Sequence, residues 1–259
     1  MDLSSPRYKN QGVHVDMVVF TVDERRVKIL LVRRAREPFV GQWILPGGAV
    51  YDDESVDAAA KRELKEKTGL GNIYLQQFHA FGDPKRDFRK RMVSIAYLAL
   101  IDRKKVSVLQ KTPKTLNARW AEVGKLPSLA FDHGEIVEFA IGELKKKLMN
   151  SNIVLNLLPK KFTLPELHNV YEIILGKMID RRNCRRKFLR LGLIEKTGRQ
   201  EKDSLRRPAR NALPVRMTRL PESQSLQAGV SVSSGHSNAG RPADYYAFTS
   251  VKYKEIDII

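Results

Sequence analysis

Glu63, Glu66 and Lys67 stand at i, i+3 and i+4 in "RELKEKTGL" (62–70), a spacing that projects all three from one side of a helix. Carboxylates so placed are the hard oxygen donors that Mg²⁺ takes, together with waters and substrate phosphates. A cation held there polarises a phosphoryl group and activates water. Such a helix calls for a carboxylate at position 67, and the lysine reverses that charge. At about 4 Å and an effective dielectric of about 20, one unit charge opposes the metal by roughly 4 kcal/mol. Glu63 and Glu66 would retain Mg²⁺ weakly if at all, so no cofactor is expected to be required. Two placements of Lys67 are open. Its ammonium stands where a cation would sit and pairs with a diphosphate, or it points outward in an i, i+4 salt bridge with Glu63. Either way catalysis suffers.

The surrounding stretch, "GAVYDDESVDAAAKRELKEKTGL" (48–70), resembles a Nudix box, whose pattern is G-x5-E-x7-R-E-U-x-E-E-x-G-U with U a bulky apolar residue. Gly48, Glu54, Arg62, Glu63, Leu64, Glu66, Gly69 and Leu70 match it, and Lys67 departs from it. The resemblance implies a loop-helix-loop that binds Mg²⁺ and cleaves a nucleoside diphosphate joined to another group, with Arg62 pairing with Glu54. It also places Gly48, Glu54, Arg62, Glu63, Glu66 and Lys67 at a ligand. Arg86, Arg89 and Arg91 in "GDPKRDFRKR" (82–91), with Arg33 and Arg34, are candidates for clamping phosphates bidentately, or else form a solvated basic loop. His133 in "FDHGE" is expected to cap a helix through neighbouring Asp132 rather than to do chemistry.

The elements that must position these residues follow from local patterning. "VHVDMVVFTV" (13–22) and "RVKILLVRR" (26–34) are β-branched runs around a turn-like "DERR" and read as a hairpin. "QWILPGG" reads as a short strand ending in a Pro-Gly-Gly loop, and "MVSIAYLALI" (92–101) as a central strand. A helix begins at Ser55 and ends at Gly69. Ile136, Phe139, Ala140 and Leu144 form the apolar stripe of a closing helix. Strands and helices in this order suggest an α/β/α sandwich with a mixed sheet over residues 1–150.

Residues 151–161 read as a linker, and a second unit spans 162–259. "TLPE" is a capping box, and Leu167, Val170, Tyr171, Ile174 and Leu175 keep helical spacing until Gly176. Asp180 then caps "RRNCRRKFLRL", with Cys184, Phe188 and Leu191 on one face and Arg182, Arg186 and Arg190 opposite. "LIEK" and "DYYAF" read as short strands. Between them, residues 199–243 are rich in Ser, Arg, Pro and Gly, which predicts disorder, and Arg-Pro-Ala occurs twice there, at Arg207 and Arg241.

Charge decides what the basic helix is for. The 47 Lys+Arg exceed the 29 Asp+Glu by 18. The first 150 residues carry 27 and 19, giving +8, and the remaining 109 carry 20 and 10, giving +10. Such an excess suits a polyanionic partner, or is a solvated surface. Six cations within ten residues of one helix repel each other at i, i+4 unless neutralised, and the major groove of DNA neutralises them. Helix, turn, basic helix and two strands form the outline of a winged helix-turn-helix. Arg181, Arg182, Arg185, Arg186, Arg190, Lys196 and Arg241 are its candidate DNA contacts.

Both halves together resemble the Nudix-related transcriptional regulators of the NrtR type, in "FTLPELHNVYEIILGKMIDRRNCRRKFLRLGLIEKTG" and "GRPADYYAF" as well as the box. The resemblance implies a homodimer that binds double-stranded operator DNA and senses ADP-ribose or a related phosphosugar, controlling NAD or sugar metabolism genes. The competing reading is a working Mg²⁺-dependent ADP-ribose pyrophosphatase with a nucleic-acid-binding appendage. A sequence-independent binder touching only phosphates is a third. The longest apolar runs fall short of the roughly 18 residues of a membrane span, the N-terminus lacks a signal-peptide core, and Cys184 is the single cysteine. A cytoplasmic protein without a membrane partner is expected.

Overall fold

A computed structural model describes residues 11–199 and 243–250. The first unit is built on a seven-stranded mixed sheet, with β1 (Gly12–Asp23), β2 (Arg26–Arg34), β3 (Trp43–Ile44), β4 (Gly47–Ala49), β5 (Gln76–Phe81), β6 (Met92–Leu100) and β7 (Thr115–Glu122). β1 runs parallel to β6 from Gly12 to Phe20 and antiparallel to β2 at its far end. Near its start β1 pairs instead with β4, and β2 takes β3 and β7, so the two long strands splay apart around the β3–β4 segment. The hairpin turn puts Glu24 and Arg25 at positive φ, and Lys28 bonds both Asp23 and Glu24 at 2.7 Å across it.

Alternation along β1 divides the core. Val15, Met17 and Val19 face helix α1 (Val56–Thr68), where Ala59, Ala60 and Leu64 meet them. Val18 and Phe20 face helix α2 (His133–Asn150) on the opposite side. This is the expected α/β/α sandwich. Ser55 caps α1 by accepting from the Ala58 amide, and Gly69 closes it in the left-handed region at φ 76°.

Local readings needed correction at several points. Gly47 and Gly48, expected in a loop, form β4 against His14–Asp16. A side chain at Gly47 would collide with Asp16, and one at Gly48 with the Glu63 carboxylate, so the pair serves close packing. β5 and β7 had no sequence signal. The first has two glutamines and the second alternates irregularly, with exposed Leu116 beside buried Thr115. The buried face of α2 is Ile136, Val137, Ala140, Leu144 and Leu148. Phe139 stays 39% exposed and stacks on Phe78 and His79 beside it.

Most of the segment 151–161 is packed, with Pro159, Lys160 and Lys161 exposed. Ser151, Asn152, Ile153, Val154, Leu157 and Leu158 are buried, and the last four join one continuous core from Val18 to Phe188. Beyond it, β8 (Phe162–Thr163), α3 (Leu164–Leu175), α4 (Arg181–Arg190), β9 (Ile194–Arg199) and β10 (Asp244–Phe248) form the winged-helix unit. Its sheet order is β8-β10-β9. Thr163 and Glu166 form the anticipated capping box, and Asp180 caps α4 through the Asn183 amide. Two local readings change here. Leu191 lies past the end of α4 and is 39% exposed, because the turn at Gly192 carries it off the apolar face. Arg199, expected as the first loop residue, pairs with Asp244 as the last residue of β9. The expected disorder of the insertion, both Arg-Pro-Ala triplets and Arg241 lie outside the described residues.

Candidate ligand site and nucleic-acid interface

The helix α1 and the strand β4 hold the box together through Arg62. Its Nε and Nη2 reach the two oxygens of Glu54 at 2.9 and 2.5 Å, and Nη2 also donates to the Ala49 carbonyl. Nη1 lies 2.6 Å from Glu63 Oε1, and the guanidinium stacks 4.0 Å over Tyr51. The Arg62 hydrogen bonds hold the Glu54 carboxyl down to about 2. Glu54 also accepts from the Tyr51 amide, so loop and helix are locked as one piece.

Lys67 turns inward and is only 8% exposed. Its ammonium donates to the Gly47 carbonyl and stands 3.9 Å from Glu63 Oε2. The outward salt bridge is thereby excluded. Burial pushes the Lys67 pKa down, with Glu63 and Asp16 opposing that shift.

A residue that sequence reasoning missed completes the arrangement. Lys114, in the loop before β7, places Nζ 3.0 Å from Glu63 Oε1 and 2.5 Å from Glu66 Oε2. Burial opposes its charge, but Glu66 and Glu63 outweigh burial and raise its pKa. The carboxylates left for Mg²⁺ are therefore already held by ammonium groups. Among the described residues, no cluster of three or more His, Cys, Asp or Glu side chains is placed to hold a metal. An ion bound there would have to displace the Lys114 ammonium from Glu63 and Glu66.

On the inner side of Lys67 lies a narrow pocket of about 30 Å³, lined by His14, Asp16, Arg34, Arg86, Asp87, Arg89, Phe131 and His133 among others. Arg86 was read as a phosphate clamp. It is instead bound bidentately to Asp132 at 2.8 Å and lies 3.5 Å from Asp16. Asp132 makes no side-chain cap of α2 for that reason. His133 accepts from the Leu45 amide at Nδ1, 2.8 Å away, and faces Asp16 with Nε2 at 3.6 Å. Burial lowers the His133 pKa, with Asp16 pulling the other way. Burial alone would raise Asp16, but His133, His14, the Ser94 hydroxyl and Arg86 hold it below the ordinary range.

Arg34 donates to the Pro38 and Glu37 carbonyls, and Arg33 to that of Gly41. Arg34 and Arg89 both approach the Phe131 ring at 5.5 Å. Arg91 is not brought to this pocket and donates to its neighbour Met92. The chain thus gathers Gly48, Glu54, Arg62, Glu63, Glu66 and Lys67 at one edge of α1, with Arg34 and Arg86 behind them. Asp16 and Lys114 had no local signal, since only the fold brings β1 and the loop before β7 to this helix.

Helix α4 buries Cys184 and Phe188 and turns its arginines outward. Burial pushes the Cys184 thiol up to about 11, so it stays protonated. Arg182, Arg185 and Arg190 make no hydrogen bond or ion pair among the described residues. Arg186 donates to Asn183 at 2.6 Å. Arg181 is held bidentately by Glu172 of α3 at 3.0 and 2.8 Å. Lys196 on β9 pairs with Asp244 at 2.9 Å.

Comparison with known proteins fits both units. Residues 11–139 match the NUDIX domain and residues 154–211 the NrtR DNA-binding winged helix domain. The ADPR responsive transcriptional repressor NtrR of Acinetobacter baylyi is 37% identical over 206 residues, 78% of this chain and 81% of that one. The chain belongs to the NrtR family of Nudix-related transcriptional regulators. A crystal structure of Shewanella oneidensis NrtR complexed with a 27mer DNA superposes with a TM-score of 0.66 at 30% identity, covering 91% of this chain and 93% of that one. The ADP-ribose pyrophosphatase of Methanocaldococcus jannaschii is 34% identical over 131 residues, 51% of this chain and 73% of that one. The NrtR match spans both units, whereas the pyrophosphatase match spans about half the chain.

Proposed function

We propose that this NrtR-family chain binds operator DNA through α4 and its wing, and that its Nudix fold senses ADP-ribose or a closely related nucleotide without cleaving it. The observation that carries the reading is the placement of Lys67. A buried ammonium stands against Glu63 where hydrolysis would need a metal ligand. The outward arginines of α4 supply the polyanion-binding surface, and the relatives' names, an ADPR responsive repressor and an NrtR complexed with DNA, support both halves.

The protein acts as a homodimer in this reading, with one α4 for each half-site. An effector shifts an equilibrium only through differential affinity, so the ligand must favour one arrangement of the winged helices over the other. Gel shifts on the promoter regions of NAD and sugar metabolism genes test the reading. DNA affinity is expected to change on addition of ADP-ribose. An unchanged shift with ADP-ribose, nucleotides and phosphosugars would remove the sensor. Equal affinity for every duplex, with a steep salt dependence, would instead make the protein a sequence-independent binder.

The second reading, a working pyrophosphatase, is favoured by the Methanocaldococcus relative. It requires Glu63 and Glu66 to exchange Lys114 for Mg²⁺.

A further inference from the structure

Lys67 alone leaves the geometry of the box unexplained. Glu63 Oε2 is buried and accepts no hydrogen bond among the described residues, an oxygen that a cation would ordinarily satisfy. Glu63 Oε1 and Glu66 Oε2 converge on a single point, and the Lys114 ammonium fills it, at 3.0 and 2.5 Å. The opposite side of Glu63 faces Lys67.

We propose that Lys114 and Lys67 jointly replace a divalent cation, so that the box is a latent metal site held shut by two ammonium groups. The inference rests on the reading of the box as metal-free and adds the residue that enforces it. Three cations, Arg62, Lys67 and Lys114, stand against three carboxylates, Glu54, Glu63 and Glu66, within one bonded network. Such a balanced cluster offers an incoming dication no net negative charge, and the point it would occupy is filled. Lys114 is the movable half. Its side chain is 26% exposed, on a loop, whereas the Lys67 side chain is 10% exposed and bonded to the Gly47 carbonyl.

Lys67→Glu by itself restores the missing carboxylate and leaves Lys114 across the point where the ion belongs. Opening the site needs both lysines removed. The pair also explains how the cluster of glutamates can persist without metal. Each carboxylate that a cation would neutralise is neutralised by the chain itself.

The test is Mn²⁺ binding to the full chain, read by calorimetry and by loss of the free-ion electron paramagnetic resonance signal. The proteins are wild type, Lys67→Glu, and Lys67→Glu with Lys114→Ala. The double variant is expected to bind one Mn²⁺ at least about tenfold more tightly than Lys67→Glu, and wild type not to bind at the box. Adding Glu63→Gln should abolish the gained site. Equal affinity of the single and double variants would overturn the role of Lys114. A folded double variant that binds no Mn²⁺ would overturn the latent site. Where the added carboxylate prevents folding, checked by circular dichroism, Lys67→Gln with Lys114→Ala removes both charges and should still bind Mn²⁺ better than Lys67→Gln. Wild-type binding sensitive to Glu63→Gln would contradict the metal-free reading itself, an outcome distinct from the failures above.

Discussion

His133 ties a single buried ring to the acid side of stability. Burial lowers its pKa below the ordinary 6.5, and His14 and His168 are lowered for the same reason. A depressed folded-state value means that stability is full above about 6.5 and is lost as pH falls through the folded-state values. Melting temperature should therefore drop as pH falls below about 6.5. In His133→Asn, which keeps an acceptor for the Leu45 amide, the drop should be shallower. An identical profile in the two proteins would show that His133 does not titrate with unfolding. At this scale the box was legible because its spacing is local, and Lys67 stood out as a reversal of charge. Lys114 was not, because "KTPKT" looks like any basic loop until β7 brings it to α1. The partner of Arg86 was hidden for the same reason. Its loop read as a phosphate clamp or a solvated basic stretch, and only the fold reveals Asp132 behind it.

Helix α4 separates folding residues from DNA residues along one element. Phe188 is fully buried, with its ring edge-on to Tyr171, so Phe188→Ala should destabilise the chain by about 3–5 kcal/mol in chemical denaturation. Arg182→Ala and Arg190→Ala should leave the melting temperature nearly unchanged while weakening DNA binding. Each lost phosphate contact should lower the salt slope of log K by about 1. Arg181→Ala should affect DNA less than Arg182→Ala, since its guanidinium is already spent on Glu172. Equal DNA losses for the two would mean that Arg181 leaves Glu172 on the operator. Helices α1, α3 and α4 were legible through caps and periodicity, local signals that survive folding. Strands β5 and β7 were not, because pairing with β6 and β2, rather than an alternating pattern of their own, defines them.

One core runs from the sheet through Ile153, Val154, Leu157 and Leu158 into the winged-helix unit, and so the two halves should unfold together. Trp43 and Trp120 both lie in the first unit, so their fluorescence and the far-ultraviolet circular dichroism of the whole chain should report one coincident transition. Separated transitions would show that the halves fold independently. In the proposed function a Nudix fold has kept its ligand and given up its reaction. Calorimetric titration of ADP-ribose with and without Mg²⁺, followed by analysis of the recovered ligand, is the deciding measurement. Binding that does not depend on Mg²⁺, with the ADP-ribose recovered intact, is the predicted result. Mg²⁺-dependent cleavage to AMP and ribose phosphate, abolished by Glu63→Gln, would contradict it.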